Sequence, residues 1–565
     1  MPTLSAGRLT PEFHTLIEPA LQEIHRAGVI DRIWAKDHRL WKSDPTEITN
    51  RLGWLTVQDQ MRQRSTEFRA AIASAEEMRI KDVVLLGMGG SSLGPEVLRT
   101  SFGSAKGYPR LWVLDSTVPG WVRQVSRVLD PARTLFLVAS KSGGTIEVMS
   151  LFAHFWDLVT KARMNRGGDQ FMAITDPGTG LEQLARAHGF RQIFSNPPDI
   201  GGRYSVLSFF GLVPAALLGL DVNRLLDRAA AMADLCRRQS PLGSNPGAYL
   251  GAAMGTLAKS GRDKVTIIAS PALSTFGLWA EQLLAESTGK DGTGLIPVAQ
   301  EPVLVPSRYG TDRFFVYLRL RDGGNASLDR QVEGLAKAGH PVLRVDLEDR
   351  FDLGAEFFRW EFATAVAGHL LKIHPFDQPN VQESKDNTNR VLVSYQSTGE
   401  LPGQPSHPAK QAMHELGARV QPDSYVAILA YTTPTSEMEN AIRAFRKALV
   451  ARYRITTTFG YGPRYLHSTG QLHKGGPPKG LFLELVDRMK PDQVIPGKPF
   501  TFGTLAQAQA TGDFESLRSH GCHAIRVLLG RDPAATVKAL TTALSPDRPV
   551  SRRQTTGKRQ RATRR

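Results

Sequence analysis

A carboxylate that moves protons has to be held out of bulk water, and one glutamate of this chain has the spacing for it. In STFGLWAEQLLAESTGKDGTG, residues 274–294, Phe276, Trp279 and Leu283 recur at helical spacing and form one apolar stripe. Glu286 follows Trp279 by seven residues and falls beside that stripe, whereas Glu281 lies on the opposite side. A Glu turned into a partly apolar cleft is desolvated, so its pKa rises above the usual value of about 4.3 and it becomes a better base near neutrality. The same spacing fits a buried Glu paired with an Arg.

A second group of residues is suited to holding an anion. TLFLVASKSGGTIEVMS, residues 134–150, starts as a buried strand and ends in Ser140, Ser142, Gly143, Gly144 and Thr145, where a helical pattern begins. Backbone N–H groups at a helix N-terminus point outward unsatisfied, hydroxyls add donors, and glycines let a phosphate approach the main chain. GMGGSSLGPE, residues 87–96, is another strand-to-helix loop, but a dinucleotide fingerprint needs a third glycine where Ser92 stands. No Lys-Ser/Thr pair closes it either, so a Gly/Ser cradle for a sugar phosphate fits better. In DIGGRYSV, Arg203 follows two glycines that can bring its backbone near a ligand; alone, such an Arg is usually a surface ion-pair partner.

Two further segments carry polar groups at regular spacing. In HPFDQPNVQESK, Pro379 suits the first turn of a helix on which Gln378, Val381 and Lys385 share one face. His467 and His473, in YGPRYLHSTGQLHKGG, are six apart, which is not the i, i+4 pairing of helical metal ligands, so no metal site is expected.

The elements that must position these groups follow from the apolar runs. Residues 1–78 show helical patterns without a strand signal and read as a helical lead-in on the first domain, with Trp34, Leu40, Trp41 and Leu52 as docking anchors. From Val83 the pattern becomes strand, turn, helix: VVLLGMG, LWVLDS, TLFLVAS, FMAITD and QIFS. A helical region over 206–260 leads to a second series, KVTIIAS, LIPVA, FFVYLRL and PVLRVDL, followed by a long helical pattern from Ala355 to Lys372. After the Gly/Pro-rich stretch STGELPGQPSHP comes a third, YVAILAYT, RITTTFGYG, GLFLELV and CHAIRVLL, which echoes the second weakly enough to be at most a degenerate repeat. The alternation predicts an α/β protein with doubly wound parallel sheets, helices on both faces, and ligand sites at the carboxyl ends of strands. The expected divisions are 1–78, 79–245 with the phosphate site, 246–396, a linker at 397–410, an additional C-terminal α/β domain at 411–544, and a tail at 545–565.

Composition narrows the class. The formal charge of +16 suggests nucleic acid, but seven of the basic residues fall in the last fifteen, SRRQTTGKRQRATRR, which read as a solvated disordered tail. No nucleic-acid partner is expected, and the remaining positive excess suits anionic substrates. Cys236 and Cys522 lie too far apart in sequence for a disulfide framework, and a cytoplasmic protein is expected. The N-terminus lacks the apolar core of a signal peptide, and the apolar run Val206–Leu220 is too short for a span and contains Pro214, so it reads as a buried helix and no membrane partner is expected.

Taken together, GMGGSSLGP, SKSGGT, GGRYS, EQLLAESTGK, FDQPNVQESK and LHSTGQLHKGG resemble the phosphoglucose isomerase family, over about residues 83–476. The FDQP variety with a further C-terminal block most resembles the isomerase half of bifunctional transaldolase/phosphoglucose isomerase proteins; the residues before position 80 are too few for a transaldolase barrel. The resemblance implies sugar isomerase type domains, interconversion of glucose 6-phosphate and fructose 6-phosphate in glycolysis and gluconeogenesis, a sugar phosphate substrate, and no cofactor. It implies that Ser91, Ser140, Lys141, Ser142 and Thr145 hold the phosphate and that Glu286 moves the proton between C2 and C1. Arg203 would stabilise the enediolate and keep the carboxylate ionised, Gln378 and Lys385 would line the ring-opening side, and His467 would donate to the ring oxygen. One feature departs from the family: its histidine motif usually lies between the glutamate and FDQ-type motifs, where this chain has only His340, in AGHPVLRV without the motif. Usual members are dimers whose partner subunit supplies that histidine, whereas a C-terminal domain folding back would allow a monomer, so monomer and homodimer both stay open. The alternatives are an isomerase that also acts on mannose 6-phosphate and a sugar-phosphate-binding regulator of the same fold. A regulator should carry a helix-turn-helix domain, and residues 1–78 show no convincing one.

Overall fold

A computed structural model describes residue 4, residues 7–238 and residues 242–544, without the side chains of 163–166 and 242. The tail expected at 545–565 lies outside the described residues. The chain begins with a two-residue strand, β1 (Arg8–Leu9), and continues through helices to Glu77. The first apolar series then forms β2 (Asp82–Gly87), β3 (Arg110–Leu114), β4 (Thr134–Ala139), β5 (Phe171–Thr175) and β6 (Gln192–Ser195), all parallel and ordered β3-β2-β4-β5-β6. Side chains alternate across the sheet: Val83 and Leu85 enter one apolar cluster, Val84 and Leu86 another. Both faces are covered, which is why these strands are continuous apolar runs. The strand order reverses between β2 and β4, so the crevice of a doubly wound sheet opens where GMGGSS and SKSGGT leave their strands.

The second series forms β7 (Lys264–Ala269), β8 (Ile296–Val298), β9 (Arg313–Leu320) and β10 (Val342–Leu347), ordered β1-β10-β9-β7-β8. The third forms β11 (Tyr425–Tyr431), β12 (Thr456–Tyr461), β13 (Gly480–Val486) and β14 (His523–Leu528), ordered β12-β11-β13-β14 and all parallel. One face of this sheet, with Val426 and Ile428, packs on its own helices. The other, with Ala427, Leu429 and Tyr431, packs on Val118, Ala285 and Ile296 of the earlier parts of the chain. The third unit is therefore seated on the first two by apolar contact.

Six helices matter for the site: α1 (Leu93–Phe102), α2 (Ile146–Arg163), α3 (Phe276–Thr288), α4 (Leu353–Leu371), α5 (Pro379–Thr398) and α6 (Phe502–Ser519). Residues 400–408, between α5 and the next helix, carry neither helix nor strand. The Val206–Leu220 run contains the wholly buried helix Phe209–Leu217, capped by Ser208, and among the described residues no helix is long and apolar enough to cross a membrane.

The lead-in differs from expectation in two respects. It contains β1, which pairs antiparallel with β10 through Leu9 and Leu343; two residues are too few to show as alternation. It also docks on more than the first domain. Trp34 stacks on Phe358 with centroids 6.1 Å apart, and Trp41 Nε1 donates to the Ala365 carbonyl at 2.9 Å, both in α4. Farther along, Gly53 N donates to Asp199 O at 2.8 Å, on the first domain. The lead-in thus ties the first two sheets together.

Candidate active site

Helix α3 is fixed by its aromatic stripe. Trp279 meets Phe357 edge-on at 4.8 Å and Phe276 meets Trp360 at 5.6 Å, so the stripe is pressed against α4. Glu286, 6 % exposed, then lies with its Oε2 3.3 Å from Arg203 Nη1 and 3.3 Å from Gln282 Nε2, which donates to it. Arg203 is itself buried, and its Nη2 donates to the carbonyls of Phe376 at 2.7 Å and Asp377 at 3.0 Å. GGRYS therefore joins the glutamate to the FDQP segment. Burial pushes the Glu286 carboxyl above its ordinary value; Arg203, and after it His467, pull the other way without cancelling this. The two readings left open by the sequence are both realised, since the inward Glu286 is also the partner of an Arg.

The opposite side of α3 is also covered. Glu281 is buried, accepts from Ala299 N at 3.2 Å, and is pushed up to about 7 by burial. It lines a separate cavity of about 270 Å³ against the third unit. Helical spacing separates the two glutamates but cannot tell that both faces are buried, because the covering domain lies more than a hundred residues away in sequence.

At the end of β4 the cradle takes the expected strand, loop, helix form. Gly143 has φ +71°, a conformation that suits glycine. Ser140 Oγ accepts from Gly143 N at 3.1 Å and lies 3.0 Å from Thr145 Oγ1, which ties the loop across its mouth. Ser142, Gly144 and Thr145 line a cavity of about 360 Å³ together with Lys385 and His467. Lys141 does not join them: its ammonium pairs with Asp176 and donates to Pro198 O at 3.0 Å. Ser91 is buried in the facing loop, and Gln378 is exposed just before α5, outside that lining. The facing loop is pressed close: a Cβ on Gly89 would come within 2.6 Å of His467 O and one on Gly90 within 1.9 Å of Gly202 O.

His467 is delivered by the third unit, at the end of the short 3-10 helix Arg464–His467. Arg464 donates to both oxygens of the fully buried Asp115, at 2.7 and 2.8 Å, and Ser116 Oγ donates to Gly462 O at 3.2 Å. Downstream, Gln471 Nε2 donates to Gly289 O at 3.0 Å, just past α3. Between these anchors the His467 carbonyl accepts from Gln282 Nε2 at 2.9 Å, and the imidazole Nε2 stands 2.8 Å from Glu147 Oε1. Gln509 of α6 donates to the same Glu147 oxygen at 2.7 Å. Burial pushes the Glu147 carboxyl up, but the neighbouring His467 and its hydrogen bond outweigh this and hold it below the ordinary range. An ionised Glu147 only accepts, so His467 Nε2 carries a proton toward it. His340 stands elsewhere, edge-on to Phe315 at 5.5 Å and Tyr309 at 6.1 Å.

The sequence did not point to Glu147, Gln282 or Gln509. Glu147 lies in the first turn of α2, where acids are common for helix-dipole reasons alone, so its type and place carried no separate signal. Asp115, which could pass for the ribose-binding acid of a dinucleotide site, is instead consumed by Arg464.

A family model described as phosphoglucose isomerase matches residues 33–297. A glucose-6-phosphate isomerase of Rubrobacter xylanophilus is 32% identical over 367 residues, covering 56% of this chain and 84% of that protein. One of Thermosynechococcus vestitus is 28% identical over 435 residues, covering 67% and 80%. Among solved structures, a hypothetical protein of Thermus thermophilus superposes with a TM-score of 0.56 at 26% identity, over 68% of this chain and 99% of that one. A glucose-6-phosphate isomerase of Chlamydia trachomatis does so with 0.55 at 17%, over 71% and 89%, a likeness of fold.

Proposed function

The chain belongs to the phosphoglucose isomerase family, and from that premise we propose that it interconverts glucose 6-phosphate and fructose 6-phosphate at the cavity lined by the SKSGGT cradle and His467, with Glu286, outside that lining, joined to it through Gln282. The observation that carries this reading is the pairing of two acid–base couples through one bridge: Gln282 bonds both the Glu286 carboxylate and the His467 carbonyl.

The chemistry follows from the charges. The phosphate sits on Ser142 and Thr145, with Ser140 fixing the Thr145 hydroxyl; Ser91 is buried in the loop after β2, and Lys141 steadies the cradle through Asp176. This holds the carbons in place without reacting. His467, oriented by the hydrogen bond between its Nε2 and Glu147, gives a proton to the ring oxygen as the C1 hydroxyl loses one, and the ring opens; Lys385 lines this end of the cavity, and Gln378 stands exposed outside it. Glu286 takes the proton from C2 and returns it to C1, while the proton on O2 is transferred to O1. Arg203 lies beside the carboxylate where the negative charge of the cis-enediolate develops. Substrate and product have the same formula, so the reaction needs no external oxidant or reductant.

A coupled assay on the purified protein with glucose, fructose and mannose 6-phosphates tests the proposal. Turnover between the first two is expected; turnover of the third would widen the specificity. Binding of these sugars without any turnover would overturn the isomerase reading in favour of a sugar-phosphate-binding regulator.

A further inference from the structure

The cradle as described is short of positive charge. A phosphate monoester carries about −1.5 to −2 at pH 7. Ser142, Gly144 and Thr145 offer only neutral donors, and three cations of the first two domains, Lys141, Arg203 and Lys290, are committed. Lys141 is held by Asp176 and Pro198 O. Arg203 is divided between Glu286 and two carbonyls. Lys290 is buried on Asp377, and burial lowers its pKa to about 7. Two ammonium groups line the 360 Å³ cavity among the described residues, Lys385 and Lys498. Lys385 is one of the charges that hold Glu147 ionised, so it already serves the ring-opening end.

Lys498 comes from the third unit and its placement is built. After β13 the chain runs without helix or long strand to Thr501, and it is clasped at its base by Asp492, which accepts from Thr501 Oγ1 at 2.7 Å and from Gly503 N at 2.7 Å. Ile495 and Phe500, on either side of the lysine, are buried in the same apolar cluster as Val148 and Leu151 of α2, the helix that starts at the cradle. Lys498 N donates to Ile495 O at 3.1 Å across Gly497, which has φ +73°. The backbone is thereby pinned to the cradle's own helix, while the Lys498 residue stays exposed.

We infer that Lys498 is a further substrate-binding residue, a cation contributed by the C-terminal domain to the phosphate group of the sugar. The inference rests on the isomerase reading for the identity of the ligand. Such a contact is made in ground state and transition state alike, so it acts on KM more than on kcat. A charge-assisted hydrogen bond of ordinary strength corresponds to roughly a 10-fold change in binding.

The test compares wild type, Lys498→Met, Lys498→Arg and Lys447→Met, the last removing an exposed lysine that does not line the cavity. Steady-state kinetics with fructose 6-phosphate should show KM raised roughly 10-fold in Lys498→Met with kcat within about twofold, near wild-type KM in Lys498→Arg, and no change in Lys447→Met. Inorganic phosphate, titrated calorimetrically, should bind more weakly to Lys498→Met by a similar factor. Unchanged KM and unchanged phosphate binding in Lys498→Met would overturn the inference while leaving the isomerase reading in place. A wild type without turnover would remove that reading, and the calorimetric comparison would still decide whether Lys498 holds the anion.

Discussion

Glu286 is worked on from two sides, since burial favours its protonated form and Arg203 its ionised one. A general base has to be unprotonated, so activity is present above its pKa and lost as the pH falls through it. Because the net direction is upward, the acid limb of kcat/KM should lie above the ordinary glutamate range near 4.3. Glu286→Gln should lower kcat by at least ~10²-fold with modest change in KM; near wild-type turnover would take the residue out of the mechanism. Glu361 of α4 offers a separate reading of burial. It is fully buried, neither carboxyl oxygen has a partner among the described residues, and burial alone pushes its pKa well above the ordinary value. A carboxyl with a folded pKa above its unfolded one binds a proton preferentially in the native state, so its stability contribution is complete below the unfolded pKa and lost as pH rises toward the folded one. Glu361→Gln removes that loss, and the Tm of the variant should improve relative to wild type from pH 5 to pH 8. A Tm difference that does not change with pH would mean that Glu361 is ionised.

The elements that hold these residues were legible to different depths. From Val83 onward the expected runs coincide with strands β2 to β14, because a parallel strand covered on both faces is largely apolar; β12, with Thr456, Thr457 and Thr458, is a polar exception. The polar ends of those runs marked the cradle for the same reason, polarity being tolerated only where the sheet stops. What could not be read was contact between distant elements. Asp115 and Arg464 meet although 349 positions separate them, and nothing local in either segment announces the partner. The family resemblance implied Lys141 as a phosphate ligand, and its ammonium is paired with Asp176, just past the end of the adjacent strand. The cradle itself should act in binding. Thr145→Val removes one hydroxyl from the cavity wall and should mainly raise KM, with inorganic phosphate competing against substrate; wild-type KM together with no protection by millimolar phosphate would show that the anion is held elsewhere.

At the scale of the molecule, three units of a single chain bring their polar groups together around Gln282 and the cradle cavity. The first supplies the cradle and Glu147, the second Glu286, and the third His467 and Gln509, with His467 and Glu147 2.8 Å apart. We propose that residues of the C-terminal unit stand in for a partner subunit and that one chain is sufficient for activity. Mixing His467→Ala with Glu286→Gln should then restore no activity, since neither variant lends its intact group to the other. Activity recovered in the mixture would show that the histidine is shared between chains and would end the single-chain proposal.

The pairing of β1 with β10 has a bearing on how such a molecule stays apart from its copies. A parallel sheet ends in a strand whose outer N–H and C=O groups are open, and such an edge invites strand addition by another chain. Here Arg8 and Leu9 lie along β10, and Thr10 N donates to Val342 O at 3.0 Å, so part of that edge is occupied by the chain's own beginning. The pairing lies on the far side of the second sheet from β7, the strand that leads into α3, so its loss need not disturb the proton-transfer residues. Removing residues 1–10 should leave turnover nearly unchanged in freshly prepared protein while light scattering rises with concentration and time. A truncated chain that scatters no more than the full one would show that β10 is guarded by something other than β1.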